Sequence, residues 1–164
     1  IYEGTTAIQA NDLVGRKTTR DGGQTAKAIA AQVEATEAEL IAQGGANAAA
    51  VAKKLQAARL AFIDVVEFIV ANGRSNPNAA FAGSVPYLML AGNLMAGWQL
   101  ARALLVAEAA LASGDCGDFG PTFMQAKITT ARFYADHILA RAPGVRDAIV
   151  EGAGSVTELP LEAF

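Results

Sequence analysis

The sequence predicts an all-α fold, arranged as an antiparallel four-helix bundle, and three observations support this prediction. Hydrophobic residues make up 52% of the 164 residues and alanine is abundant, whereas Val, Ile and Thr rarely alternate with polar residues as a half-buried strand requires. Apolar residues recur instead at helical spacing. Short turns rich in glycine or proline separate four long segments of this kind. A chain of this length suits one domain with a substantial core.

A short helix is expected first, over residues 7–17. Thr5 and Thr6 precede it, and either of them can cap its first turn, while Gly4 lets the backbone and a ligand approach closely. Glu3 would then lie just before a helix N-terminus, where free amides and the helix dipole favour an anionic ligand such as a phosphate. On this pattern alone, a solvated capping residue is the simplest interpretation of Glu3.

The turn TTRDGG leads into the first two long helices, predicted over residues 24–43 and 46–72. Gly44-Gly45 stops the first of them, so the two are expected to form an antiparallel hairpin in which each buries its apolar stripe against the other. The first stripe contains Ile29, Val33, Leu40 and Ile41, and the second contains Val51, Leu55, Ala58, Phe62, Val65, Val66 and Ile69. The expected solvated faces carry Glu34, Glu37, Glu39, Lys53, Lys54 and Arg59.

The third long helix is expected from Ser84 to about Ser113, after a short turn that Asn76-Pro77 begins. It is apolar all round, which indicates the central helix of the bundle, and Gly92 and Gly97 would permit close approach of its neighbours. A membrane span is not predicted, because the most apolar part, residues 85–98, is short for a hydrocarbon layer and contains Asn93.

The last long helix is predicted to begin at Pro121 and to end at Ala142-Pro143-Gly144. A short helix over residues 145–152 and a tail would follow. The apolar contacts of the long helix are assigned to Phe119, Phe123, Phe133 and Ile138.

The net charge of −3 and the absence of a basic stripe argue against a nucleic-acid partner. Cys116 is the only cysteine, which fits a reducing cytoplasm, and its place in the turn GDCGD indicates an incidental thiol. His137 follows Asp136, but adjacent helical residues do not face one another, so a proton relay is not predicted. No cluster of metal ligands is visible, and no metal site is expected.

The first nine residues, IYEGTTAIQ, are called the motif segment here, and they resemble the C-terminal motif of the acyl-CoA dehydrogenases. The resemblance implies that Glu3 is the catalytic base, which removes the α-proton of an acyl-CoA thioester while the β-hydrogen leaves as hydride to the flavin N5. It implies that the backbone amide of Glu3 helps to polarise the thioester carbonyl. Gly4 would be a backbone contact to the acyl-CoA, and Thr5, Thr6 and Ala7 would contact FAD. Because Ala7 replaces a frequent Glu or Gln, only its backbone contact carries over.

The same resemblance implies an FAD-dependent acyl-CoA dehydrogenase as the intact parent, with an electron-transfer acceptor. A homo-oligomer is also expected, and the single cysteine favours a cytoplasmic location. Residues 1–23 would end the catalytic C-terminal domain, and residues 24–164 would form a helical extension similar to that of the methylmercaptopropionyl-CoA dehydrogenases. This chain alone is expected to be inactive and to hold no FAD.

Two other classes of function remain open at the level of the sequence. A structural or oligomerisation bundle without catalytic role would show the same helical pattern from residue 24 onward. An independent helical module for a small apolar ligand is the third possibility.

Overall fold

The computed structural model describes residues 4–163, and within that range the chain forms helices and turns without a β-strand. The α-helices are α1 Thr5–Asp12, α2 Gln24–Gln43, α3 Ala46–Asn72, α4 Pro77–Ala82, α5 Ser84–Ser113, α6 Gly120–His137 and α7 Ala142–Val150. The prediction of an all-α fold is confirmed.

Helices α2, α3, α5 and α6 form the predicted bundle and alternate in direction. Lys27 of α2 pairs with Glu67 of α3 at 3.0 Å, and further along α2 Glu37 pairs with Arg59 at 2.8 Å, so these two helices are antiparallel. The remaining elements pack on this bundle: α1 lies against α5, and α7 lies against α3.

Helix α5 packs against α2, α3 and α6, but α3 packs against α2, α5 and α6 as well, so α5 shares the centre of the bundle with α3 and the prediction of a single central helix is only partly confirmed. The Nε1 of Trp98 in α5 donates a hydrogen bond of 2.8 Å to Thr36 Oγ1 of α2. One end of the same interface is closed by Gln43, whose side-chain amide donates to Glu108 at 2.7 Å. Within residues 4–163, α5 alone has the length and apolar composition that could cross a membrane, a test that core helices of soluble proteins also pass.

The two glycines of α5 differ in role. A Cβ on Gly97 would lie 2.7 Å from the side chain of the buried Leu139, so a side chain there is excluded by close packing. A Cβ on Gly92 would meet no atom within 4 Å. The prediction of close approach is therefore confirmed for Gly97 and wrong for Gly92, which is exposed.

The expected solvated faces of α2 and α3 contain two errors, at Glu37 and Arg59. Both residues are buried, and Glu37 accepts two hydrogen bonds of 2.8 Å from the Arg59 guanidinium. Glu34 pairs with the same guanidinium from the surface at 3.1 Å. The charges can be buried because they are paired bidentately, and the hydrogen bonds to Glu37 raise the pKa of Arg59. Ile41, by contrast, was expected in the core but is exposed.

Helix α6 packs through a different face from the one predicted. Phe119, Phe123 and Phe133 are exposed, and only Ile138 of the predicted residues is partly buried. The face that packs on the bundle carries smaller residues, Ile128, Ala131 and Ala135. Alanines allow close approach of the helices, which leaves the larger rings outside.

The end of α6 also differs from the prediction. The helix stops at His137, and a short 3₁₀ turn, Leu139–Arg141, leads into α7, which starts at Ala142. Pro143 lies in the first turn of α7, because a proline lacks the N–H that this turn leaves without an intrahelical partner. Helix α7 therefore begins three residues before the short helix predicted over residues 145–152.

Candidate functional site

The motif segment is only partly within the described residues. Glu3 lies outside residues 4–163, so its position as a catalytic base stays a prediction. Helix α1 begins at Thr5 with Gly4 at the N-cap position and no side-chain cap, so the prediction that Thr5 or Thr6 caps the helix is wrong. Both threonines lie in its first turn with Ala7. All four predicted residues from Gly4 to Ala7 are exposed at one helix start.

Residues Leu13–Thr18, which follow α1 directly, form a π-helical turn, which is wider than an α-helical turn. The amide of Thr19 donates to the carbonyl of Val14, five residues back, at 2.9 Å. Such turns often occur at functional sites. The segment is fixed to the bundle by Ala10, Val14 and Thr18, all of which are buried.

A buried hydrogen bond joins this turn to α5. The hydroxyl oxygens of Thr18 and Tyr87 lie 2.8 Å apart, and the Tyr87 ring stacks on Phe62 of α3 with ring centroids separated by 5.9 Å. Desolvation by burial raises the pKa of Tyr87 above its usual 10.0. At neutral pH the phenol is therefore protonated and can serve as the donor to Thr18.

The prediction of a turn at TTRDGG, before α2, is confirmed. Gly23 has a φ of 77°, which favours glycine, and a Cβ there would lie 2.7 Å from Val66. Asp21 accepts hydrogen bonds from the amides of Gly23 at 2.9 Å and Thr25 at 3.0 Å. Hydrogen bonds from the side chain and amide of Thr25 lower the pKa of Asp21. The ionised carboxylate therefore caps the start of α2.

A cavity of about 440 Å³ opens between the π-helical turn and α2, α3 and α5, and we call it the seam cavity. Apolar side chains form most of its lining, and Arg16, Lys17, Arg20 and Asp21 also line it. None of residues 4–7 does. The motifs and helical periodicity of the sequence do not predict this site. The clustered cations of the stretch RKTTR were its only signal, and the apolar lining comes from four separate parts of the chain.

The other residues singled out in the sequence do not form a site. Asp136 pairs with Arg132 at 2.7 Å, while the His137 ring lies against Phe133 with centroids 4.5 Å apart. Cys116 is half-buried, with its Sγ 3.8 Å from the carbonyl of Ala110. In the described part of the chain, no group of three or more His, Cys, Asp or Glu residues could hold a metal ion.

The architecture defines a helical bundle domain that carries a motif helix at its amino-terminal side. The sequence pattern of the family described as acetyl-CoA dehydrogenase C-terminal like matches residues 25–160. The chain therefore belongs to this family of acyl-CoA dehydrogenase C-terminal regions.

Three curated relatives agree with this assignment. The chain is 49% identical over 156 residues to the 3-methylmercaptopropionyl-CoA dehydrogenase of Ruegeria pomeroyi, a match that covers 95% of this chain and 26% of the relative. It is 32% identical over 173 residues to the broad-specificity linear acyl-CoA dehydrogenase FadE5 of Mycobacterium tuberculosis, covering 100% of this chain and 27% of that protein. A butyryl-CoA dehydrogenase of Syntrophomonas wolfei is 31% identical over 169 residues, and the match covers 100% of this chain and 26% of that protein.

The chain thus spans about a quarter of the length of these relatives. The resemblance to the acyl-CoA dehydrogenases is confirmed, including the similarity to the methylmercaptopropionyl-CoA subgroup.

Proposed function

We propose that this chain is the C-terminal quarter of an FAD-dependent acyl-CoA dehydrogenase that introduces an α,β double bond into an acyl-CoA thioester. The observation that carries the proposal is the 49% identity to the 3-methylmercaptopropionyl-CoA dehydrogenase of Ruegeria pomeroyi, which extends over 95% of the chain. Electrons would pass from the flavin to an electron-transfer acceptor. We further propose a cytoplasmic homo-oligomer.

Glu3 is the proposed base. Abstraction of an α-proton from a thioester needs a carboxylate in a dry pocket, where desolvation raises its pKa, and donors that stabilise the enolate-like charge. The backbone amide of Glu3 is the proposed donor to the thioester carbonyl. Gly4 is the proposed backbone contact to acyl-CoA, and the open space beside its Cα agrees with close approach of a ligand.

Thr5, Thr6 and Ala7 are the proposed contacts to FAD. The fit can be judged from their position: all three are exposed in the first turn of α1, where they are accessible to a bound cofactor. Three exposed residues in one helical turn suit contact with one edge of FAD. When bound, the flavin supplies the hydride acceptor and hence the redox chemistry.

The 164-residue chain by itself should neither retain FAD nor oxidise acyl-CoA. One helix start offers a single edge of contact, whereas a flavin site must enclose the ring and position the substrate against it. Yellow purified protein, or bleaching of a redox dye after acyl-CoA is added, would contradict this expectation.

The decisive experiment uses the full-length enzyme that contains this segment. Glu3→Gln keeps the volume of the side chain but removes the proton acceptor, so acyl-CoA and FAD should still bind. The rate of flavin reduction, measured by stopped-flow bleaching of the oxidised flavin with saturating acyl-CoA, should fall by about two to four orders of magnitude or more.

The matched control is Glu34→Gln. Glu34 is an equally acidic residue on the exposed face of α2, 63% exposed, so its replacement should leave the reductive step nearly unchanged. Reduction of the flavin at the parental rate in Glu3→Gln would remove Glu3 from the chemistry. It would favour the alternative, a structural or oligomerisation bundle.

A further inference from the structure

The seam cavity has the size and lining of a ligand site. Its volume of about 440 Å³ lies within the range of roughly 300–1,000 Å³ that small-molecule sites occupy. Its apolar and aromatic lining comes from the π-helical turn, α2, α3 and α5 and comprises Leu13, Ala26, Ile29, Phe62, Tyr87, Ala91 and Met95. Such a lining favours a hydrocarbon group over a polar one.

The interior offers no unpaired polar group to a ligand. The hydroxyls of Thr18 and Tyr87 bond to each other, and among the described residues no buried side-chain nitrogen or oxygen lacks a hydrogen-bond partner. A polar head group placed inside would lose its contacts with water and gain none in return. The head group of any ligand must therefore lie at the opening.

The charged lining residues make that opening basic. Lys17 and Arg20 are exposed and form no ion pair with the described residues. Arg16 pairs with Asp12 at 3.1 Å but is itself 78% exposed, so it can also reach a ligand. The one carboxylate in the lining, Asp21, accepts hydrogen bonds from the amides of Gly23 and Thr25 and keeps its negative charge, but the three cations of the same lining outnumber it.

From this juxtaposition we propose that the seam cavity binds an amphipathic anion, with a single hydrocarbon chain inside the cavity and an anionic head group at Arg16, Lys17 and Arg20. A medium-chain fatty acid is the simplest such ligand. This site differs from the one proposed around Glu3, because none of residues 4–7 lines it. The proposal does not depend on a catalytic role for this chain.

Titration of the ¹⁵N-labelled 164-residue chain with decanoate, followed by two-dimensional NMR, tests the proposal. Chemical shifts should change in the π-helical turn, at the start of α2, and around Tyr87 and Met95. Decanol shares the chain but lacks the charge, and it should bind at least about tenfold more weakly, as expected for the loss of one charge-assisted contact.

Two variants separate the contributions of charge and cavity. Lys17→Gln with Arg20→Gln changes exposed side chains only and should weaken decanoate about tenfold or more while leaving decanol binding unchanged. Its matched control is Lys53→Gln with Lys54→Gln on α3, which lies outside the cavity lining and should bind decanoate like the parent.

The second variant, Ala91→Phe, fills the cavity and should abolish binding of both probes, with the spectrum of the free protein reporting whether the fold is retained. The proposal is overturned by decanoate shifts that lie elsewhere or are absent. It is also overturned if decanol binds as tightly as decanoate, or if the Lys17 and Arg20 double variant retains parental affinity.

Discussion

Helices α3 and α1 show how differently two parts of one chain use their surfaces. Helix α3 has a buried stripe along its length, from Ala48 to Ile69, and contacts α2, α5, α6 and α7. Helix α1 buries only Ala10, and residues 4–9 at its start, which include every described residue of the proposed catalytic motif, are exposed. Stability is therefore concentrated in the bundle, whereas the residues proposed for chemistry contribute little to it.

The largest effect is expected from shortening a core side chain in α3. Leu55 is fully buried, so Leu55→Ala removes apolar contacts and leaves a cavity, and should lower the free energy of unfolding by about 2–5 kcal/mol. Urea denaturation measures this loss.

Two exposed positions serve as controls for Leu55. Leu60→Ala changes the same residue type on the same helix, and Ile8→Ala changes a large side chain in α1. Both should alter the free energy of unfolding by no more than about 0.5 kcal/mol. A cost for Ile8→Ala equal to that for Leu55→Ala would break the comparison between the two helices.

The buried ion pair should give the next largest effect. Glu37→Ala leaves the Arg59 guanidinium buried with only the surface carboxylate of Glu34, and should cost about 3 kcal/mol. Glu34→Ala removes an exposed partner of the same guanidinium and should cost less than about 1 kcal/mol. Urea denaturation measures both changes. If Glu37→Ala and Glu34→Ala lower the urea midpoint equally, burial does not determine how strongly each carboxylate stabilises Arg59.

The glycines of α5 should respond with opposite signs. Gly97→Ala places a methyl group against Leu139 and should destabilise the protein by about 1–3 kcal/mol. Gly92→Ala introduces a better helix former where there is open space and should stabilise it by about 0.5–1 kcal/mol. Thermal unfolding of the two variants should shift Tm in opposite directions; a shift in the same direction would contradict the packing at Leu139.

The smallest change in stability is expected at Tyr87, where the bundle helix α5 contacts the π-helical turn that follows α1. Because its pKa is raised, the folded state holds the phenol proton more tightly than the unfolded state does. The resulting stability is complete below pH 10 and is lost as the pH rises from about 10 through the raised pKa.

Tyr87→Phe should therefore lessen the alkaline loss of stability, followed as urea midpoints between about pH 8 and 11, at the cost of the hydrogen bond to Thr18. Tyr134→Phe is the comparison, since the pKa of this half-buried tyrosine is also raised by desolvation. It should remove a smaller part of the alkaline loss. An unchanged alkaline profile in Tyr87→Phe would contradict the assignment.

The sequence could predict those elements that local rules control. The predicted limits of α2, α3 and α5 are confirmed: Gly44-Gly45 separates α2 from α3, and Asn76-Pro77 marks a new start of the chain, which is the short helix α4. Asn76 accepts a hydrogen bond from the amide of Ala79, as its place before a first-turn proline predicts. These signals act within a few residues of the helix end.

What the sequence could not predict depends on partners distant in the chain. The burial of Glu37 requires Arg59, 22 positions away on another helix, and helical periodicity carries no information about such a pair. In α6 the face with Ala131 and Ala135 and the face with Phe123 and Phe133 are both apolar, so helical periodicity does not decide which of them packs against α5 and α3. The seam cavity likewise exists only where four separate parts of the chain meet.

The central claim, that stability lies in the bundle and not in the helix that carries the motif, can be tested by native-state hydrogen exchange of the 164-residue chain. Amides of residues 55–66 in α3 should exchange only through global unfolding, with a free energy equal to that from urea denaturation. Amides of residues 9–12 in α1 should exchange through local opening at a much lower free energy. Equal protection in the two segments would show that α1 is part of the stable core, contrary to this account.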